Sequence, residues 1–66
     1  MELEVNGKPL RRNSDCTVAE LLDELALDAR RVAVEVNGEL VTRERHGEYR
    51  LRDADVVEIV SLVGGG

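Results

Sequence analysis

The residues best placed to do chemistry in this 66-residue chain stand at its end, Val63-Gly64-Gly65-Gly66. They follow directly on an apolar run, Val56-Val57-Glu58-Ile59-Val60-Ser61-Leu62-Val63. Glycine has no side chain and the most backbone freedom. A glycine tail therefore cannot pack, is expected to be mobile, and fits a channel too narrow for any side chain. Fully extended, its three glycines reach about 10 Å. The Gly66 α-carboxylate at the tip is ionised at neutral pH, because such groups titrate near ~3.5. The expected organisation is a folded domain over residues 1–63 and a flexible tail over 64–66 that delivers this carboxylate. A frayed terminus or a cloning scar is the plainer alternative.

Elsewhere the candidates are weak. Nucleophilic catalysis needs a base within reach of the nucleophile. Cys16 precedes the predicted helix and His46 sits in a polar loop, so no dyad is expected. Cys16 reads as a small apolar staple and His46 as a solvated loop residue. Asp53 with Asp55, and Asp23 with Glu24, are carboxylate pairs, but they offer too few oxygen ligands for a hard cation. The glycines are no phosphate loop, since nothing follows them to start a helix. The body of the chain is read as having no catalytic site, no metal and no cofactor. The terminal carboxylate is its distinctive chemical group, and the chain is not expected to be an enzyme.

Composition narrows the partners. Fourteen acidic against nine basic residues give a net charge of -5. This argues against nucleic acid, which calls for a basic stripe, and favours a protein partner with a basic face. Tyr49 is the sole aromatic residue, so base-stacking platforms and aromatic cages are excluded. One cysteine rules out an internal disulfide, a CxxC motif and a zinc ribbon. No basic apolar leader or long apolar run is present, so no membrane association and a cytoplasmic location are expected. At this length one domain with a modest core is expected, burying about 60% of its unfolded surface.

The elements that must position the tail can be read in order. Met1–Val5 alternates apolar and acidic residues, a half-buried strand with Leu3 and Val5 inward and Glu2 and Glu4 outward. Asn6-Gly7 is a two-residue hairpin signal, and Lys8–Arg12 returns. Pro9 cannot donate to a ladder and puts that strand at an edge. Asn13-Ser14-Asp15 is a turn. Thr17-Val18-Ala19-Glu20 matches a capping box, with Cys16 and Leu21 spaced as a hydrophobic staple. Val18, Leu21, Leu22 and Leu25 form one apolar stripe. The helix is expected over Val18–Ala26, sealed by Leu27. Val32, Val34 and Val36 alternate along a strand, Asn37-Gly38 repeats the hairpin signal, and Leu40-Val41 begins the return. Thr42–Arg52 has no clean period and reads as a loop with a short strand or turn near Tyr49-Arg50-Leu51. Asp53-Ala54-Asp55 is a turn, and the last strand runs from Val56 to about Val63.

Two hairpins flanking one helix, followed by a final apolar strand, predict an α+β fold of the β-grasp, ubiquitin-like type. One apolar helix face covers a mixed sheet of four to five strands, with the last strand central. The inward face is expected to hold Leu3, Val5, Val32, Val34, Val36, Val57 and Ile59. Alternation sends Val56, Glu58, Val60 and Leu62 to the other face, which no second helix covers. Glu58, Val60 and Leu62 are therefore the candidate partner-binding residues beside the tail.

The chain resembles the ThiS sulfur-carrier family of thiamine biosynthesis across essentially its whole length. The resemblance is carried by Glu4-Val5-Asn6-Gly7, Thr17-Val18-Ala19-Glu20-Leu21-Leu22 and Val32-Ala33-Val34-Glu35-Val36-Asn37-Gly38-Glu39. It continues in Val41-Thr42-Arg43, in Leu51-Arg52-Asp53-Ala54-Asp55-Val56-Val57-Glu58-Ile59-Val60 and in Gly65-Gly66. It implies that a ThiF-type adenylating enzyme activates the Gly66 carboxylate with MgATP. Sulfur originating from cysteine then displaces AMP to leave a Gly66 thiocarboxylate, and thiazole synthase accepts that sulfur. Three departures concern loops. Ala54 stands where the family usually has Gly, which suggests a different turn or mild strain. Thr42 stands where Pro is frequent, and His46 where an aromatic is frequent. A molybdopterin-synthase small-subunit type of carrier and a ubiquitin-like modifier forming isopeptide bonds share the fold and tail and remain alternatives.

Overall fold

The computed structural model describes residues 1–62; Val63, Gly64, Gly65 and Gly66 lie outside the described residues. Two Asn-Gly turns organise the sheet. Asn6 and Gly7 take φ values of 50° and 82°, and Asn37 and Gly38 take 53° and 85°. Positive φ at both central residues is the geometry whose twist matches that of flanking antiparallel strands. The first turn joins β1 (Glu2–Val5) to β2 (Lys8–Arg11), pairing Leu3 with Leu10 and Val5 with Lys8. The second joins β3 (Val32–Val36) to β4 (Glu39–Val41), pairing Val34 with Val41 and Glu35 with Leu40.

The final strand, β5 (Val56–Ser61), enters between these hairpins, parallel to β1 and antiparallel to β3. The five-stranded order is β2-β1-β5-β3-β4, with β5 at the centre and Pro9 on edge strand β2. The apolar character of β5 suits that position, where both sides of its backbone are paired.

Helix α1 (Val18–Glu24) starts where the capping box predicts. The Glu20 amide donates to Thr17 Oγ1 at 3.1 Å, and the Thr17 amide donates to Glu20 Oε1 at 2.8 Å. The helix ends at Glu24, two residues before the expected Ala26. Leu25 is the C-cap, and Ala26 follows at φ 59°. The Leu27 amide donates to Leu22 O at 2.9 Å and the Ala26 amide to Asp23 O at 3.0 Å, the paired bonds of a Schellman ending. This ending corrects two expectations. Leu25 turns out of the core and is 37% exposed, and Leu27 closes the helix through its amide while its side chain stays exposed.

The core consists of Leu3, Cys16, Val18, Leu21, Leu22, Val34, Val36, Val41, Leu51 and Val57, with Val5, Val32 and Ile59 partly buried against it. Each fully buried aliphatic side chain contributes about 1.5–3 kcal/mol relative to exposure. Val41 closes β4, and Leu51 comes from the polar stretch that follows it. That stretch is held by backbone bonds: Leu51 N to Cys16 O at 2.9 Å, Val18 N to Tyr49 O at 3.0 Å and Ala19 N to His46 O at 2.9 Å. A 3₁₀ turn, Arg43–Arg45, precedes His46. His46 is not the solvated residue expected: it is 4% exposed, and its Nε2 lies 3.1 Å from Val41 O. A carbonyl only accepts, so that bond places the proton on Nε2. Ala54 keeps positive φ, at 72°, so its turn has the glycine-type geometry despite the side chain. Among the described residues no helix is long and apolar enough to cross a membrane.

Candidate functional site

The site is built outward from β5. Within it Val57 and Ile59 turn into the core beneath α1, while Val56, Glu58 and Val60 are exposed on the uncovered face. Val60 is 58% exposed and Leu62 63% exposed, and Glu58 is exposed as well. The expected trio Glu58, Val60 and Leu62 thus lies along the uncovered face. Leu62 is anchored by its amide, which donates to Arg31 O at 2.8 Å, and its side chain does not fold into the core.

Pairing adds residues the sequence reading did not include. Val60 lies directly opposite Ala33, Glu58 opposite Glu35, and Glu35 opposite Leu40 on its other side. Leu40 is exposed. The uncovered face therefore has an apolar end made by Ala33, Leu40, Val60 and Leu62, next to carboxylates from Glu35 and Glu58. Leu62 also borders a shallow notch of about 360 Å³ shared with Val32, Ala33, Leu40 and Thr42. The two-residue Asn37-Gly38 turn dictates the β3–β4 register, so Leu40 was recoverable in principle from that signal.

The asparagines of both turns position β5 as well as turning the chain. Asn37 Oδ1 accepts from the Val56 amide at 2.9 Å, and its Nδ2 donates to Asp55 Oδ1 at 2.9 Å. Asn6 Oδ1 accepts from the Ile59 amide at 2.8 Å. These bonds fix both the entry and the middle of the strand that leads to the tail.

Cys16 and His46 do not form a catalytic pair: no hydrogen bond joins them among the described residues, and His46 Nδ1 is buried without a partner. Burial pushes the Cys16 thiol up from its ordinary value, against an opposing pull from Arg12. A buried, protonated thiol is a poor nucleophile. The tail positions Gly64, Gly65 and Gly66 lie outside the described residues.

A mixed five-stranded sheet gripping one helix, with the central strand ending on an uncovered face, defines a β-grasp domain. The ThiS family profile matches residues 2–66, and the chain belongs to that family. It is 43% identical to the sulfur carrier protein ThiS of Bacillus subtilis, over 97% of this chain and 98% of that one. It is 41% identical to a thiazole synthase of Paramagnetospirillum magneticum over 100% of this chain, which spans only 20% of that enzyme's length. The crystal structure of the thiamine biosynthesis protein ThiS from Geobacter metallireducens superposes with a TM-score of 0.86 at 40% identity, each chain being covered completely.

Proposed function

We propose that this chain is the sulfur carrier of a thiazole-forming pathway in thiamine biosynthesis, and that its Gly66 carboxylate is the group that carries the sulfur. In this reading the body over residues 1–63 is the handle, Gly64 and Gly65 are the arm that bears the Gly66 carboxylate, and the chain is a co-substrate in the cytoplasm without catalytic groups of its own. The observation that supports it most is the family match running through the glycine run to residue 66.

The chemistry follows from the weakness of a carboxylate as an electrophile. A ThiF-type enzyme binds MgATP, and a Gly66 carboxylate oxygen attacks the α-phosphorus. Pyrophosphate leaves, and the acyl adenylate now has AMP as a leaving group. Hydrosulfide whose sulfur originates from cysteine attacks the acyl carbon, the C–O bond to AMP breaks, a proton is lost, and the thiocarboxylate remains. Glycine at the tip leaves that carbon open to approach. Thiazole synthase is the acceptor. The Paramagnetospirillum magneticum thiazole synthase, which contains a segment similar to this chain within one polypeptide, supports that pairing.

Incubation with a ThiF-type enzyme, MgATP and sulfide, followed by intact-mass measurement, tests the reading. One oxygen is expected to be replaced by sulfur, and a variant lacking Gly66 is expected to stay unmodified. Removal of one residue displaces the carboxylate by roughly 3.5 Å, enough to lose in-line attack. Gly65→Ala is expected to impair transfer more than folding. Larger conjugates to lysine in place of the exchange would assign the chain to the protein modifiers.

A further inference from the structure

On the uncovered face, Glu35 and Glu58 are directly opposed on neighbouring antiparallel strands. Residues so placed have Cβ atoms about 4.5–5.5 Å apart, and like charges there oppose folding. Neither carboxylate has an ion pair or hydrogen bond among the described residues. Each is also flanked by apolar surface: Leu40 lies opposite Glu35 on the outer side, and Ala33 and Val60 form the next same-face pair along the two strands. The isolated domain thus holds two unneutralised carboxylates in the middle of its sheet, beside the apolar end that leads to the tail.

We propose that Glu35 and Glu58 together seat a single cationic side chain of the docking protein, a guanidinium or an ammonium, with Leu40, Val60 and Leu62 covered by that protein's apolar surface. A guanidinium has the donors to bond both carboxylates at once. Its arrival replaces one repulsion by two attractions, so the pair opposes folding and favours docking. The net charge of -5 matches a basic partner surface. In the carrier reading the adenylating enzyme is the first protein to receive the chain after Leu62, and it is the partner assigned to this face. The inference rests on the carrier reading and adds to it the recognition chemistry of the adenylating partner.

The test measures binding of the full chain to the adenylating enzyme of the same organism, alongside the thermal midpoint. The variants are Glu35→Gln, Glu58→Gln, the double substitution, and Glu48→Gln as control. Glu48 is exposed beside the start of α1, away from the uncovered face, and changes net charge equally. Each of the two single substitutions on the face is expected to weaken binding about ten-fold. The double should lose less than the product of the singles, since one cation is shared. Relief of repulsion is expected to raise Tm by about 1–5 °C. Wild-type-like binding by both singles, losses no larger than that of Glu48→Gln, or a fall in Tm accompanying the binding loss would each overturn the proposal. If the unaltered chain is neither bound nor adenylated, the carrier reading fails, and this proposal with it. A chain that is adenylated normally while the substitutions leave binding intact sinks the seat alone.

Discussion

Asn6 brackets Ile59: its Oδ1 accepts from the Ile59 amide at 2.8 Å while its Nδ2 donates to Ile59 O at 3.3 Å. The β1–β5 register runs to Val5 opposite Val57, and the last backbone bond is from the Asn6 amide to Val57 O at 2.9 Å, so the asparagine side chain continues the ladder where the first hairpin has already turned away. One residue therefore supplies the positive φ of the turn and two hydrogen bonds to the strand that bears the tail.

Asn6→Gly keeps the turn geometry and removes those bonds. Each net hydrogen bond contributes about 0.5–1.5 kcal/mol, and exposure places this pair at the lower end. A loss of about 1 kcal/mol in denaturant unfolding is expected, with faster amide exchange at Ile59. Unchanged exchange at Ile59 would show that β5 is held by its backbone partners alone.

Ala26 and Ala54 both sit at positive φ, at 59° and 72°. An L side chain there costs roughly 1–2 kcal/mol, of which glycine's greater unfolded entropy returns part. Ala26→Gly and Ala54→Gly are each expected to stabilise by roughly 0.5–1 kcal/mol. The sites lie in separate turns, so the double variant should show the sum. A decrease in the chemical-denaturation midpoint would mean the alanine side chains make compensating contacts.

Asp28 caps the 3₁₀ turn Ala29–Arg31, accepting from the Arg30 amide and from the Arg30 guanidinium. The bonds from the Arg30 side chain, then from its amide, lower the Asp28 carboxyl from 3.8 to about 2. A folded-state value below the unfolded one means the contribution is complete above the unfolded value and is lost as pH falls through the folded one. The loss should therefore fall between about pH 4 and pH 2. Asp28→Asn is expected to lower stability across the neutral range, where that contribution is complete, and to flatten the profile between about pH 4 and pH 2; urea titrations across pH check it. An acid limb identical to wild type would assign acid sensitivity to other carboxylates.

Cys16 is fully buried, and burial raises its thiol above the ordinary value. Reaction of the native protein with a disulfide reagent at neutral pH is expected to be limited by unfolding, accelerating in urea in step with loss of structure. Rapid native-state labelling would show that the thiol is reachable in the folded chain.

Leu62 is anchored by its backbone but presents its side chain outward. Leu62→Ala is expected to weaken binding to the adenylating enzyme by about 1–2 kcal/mol and to leave Tm nearly unchanged. Added salt should slow association without abolishing it, because the apolar contact is unscreened. Normal binding, or a large fall in Tm, would remove Leu62 from the docking surface.

Much of this architecture is local, and local signals survive in the sequence. Asn-Gly needs no tertiary context to form a two-residue turn, and those turns impose the register of both hairpins. Thr17 and Glu20 satisfy each other's backbone donors within one helical turn. Alternation along Val56–Leu62 assigns faces because successive strand residues point oppositely, so Val60 and Leu62 were legible as outward. The role proposed for the terminal glycines and their carboxylate is likewise argued from composition and not from neighbours.

Tertiary structure decided what depends on residues distant in the chain. The stripe Val18, Leu21, Leu22, Leu25 could not reveal that the helix stops at Glu24, because an alanine takes the left-handed position where a glycine would have marked the end. Leu51 and His46 carry no periodic signal; they are buried because backbone bonds to Cys16 and Ala19 draw the polar segment against the helix start, and the Val41 carbonyl accepts from the imidazole Nε2. The opposition of Glu35 and Glu58 arises only when β5 inserts beside β3. Face assignment is a property of one strand, but the neighbours a side chain meets are a property of the sheet.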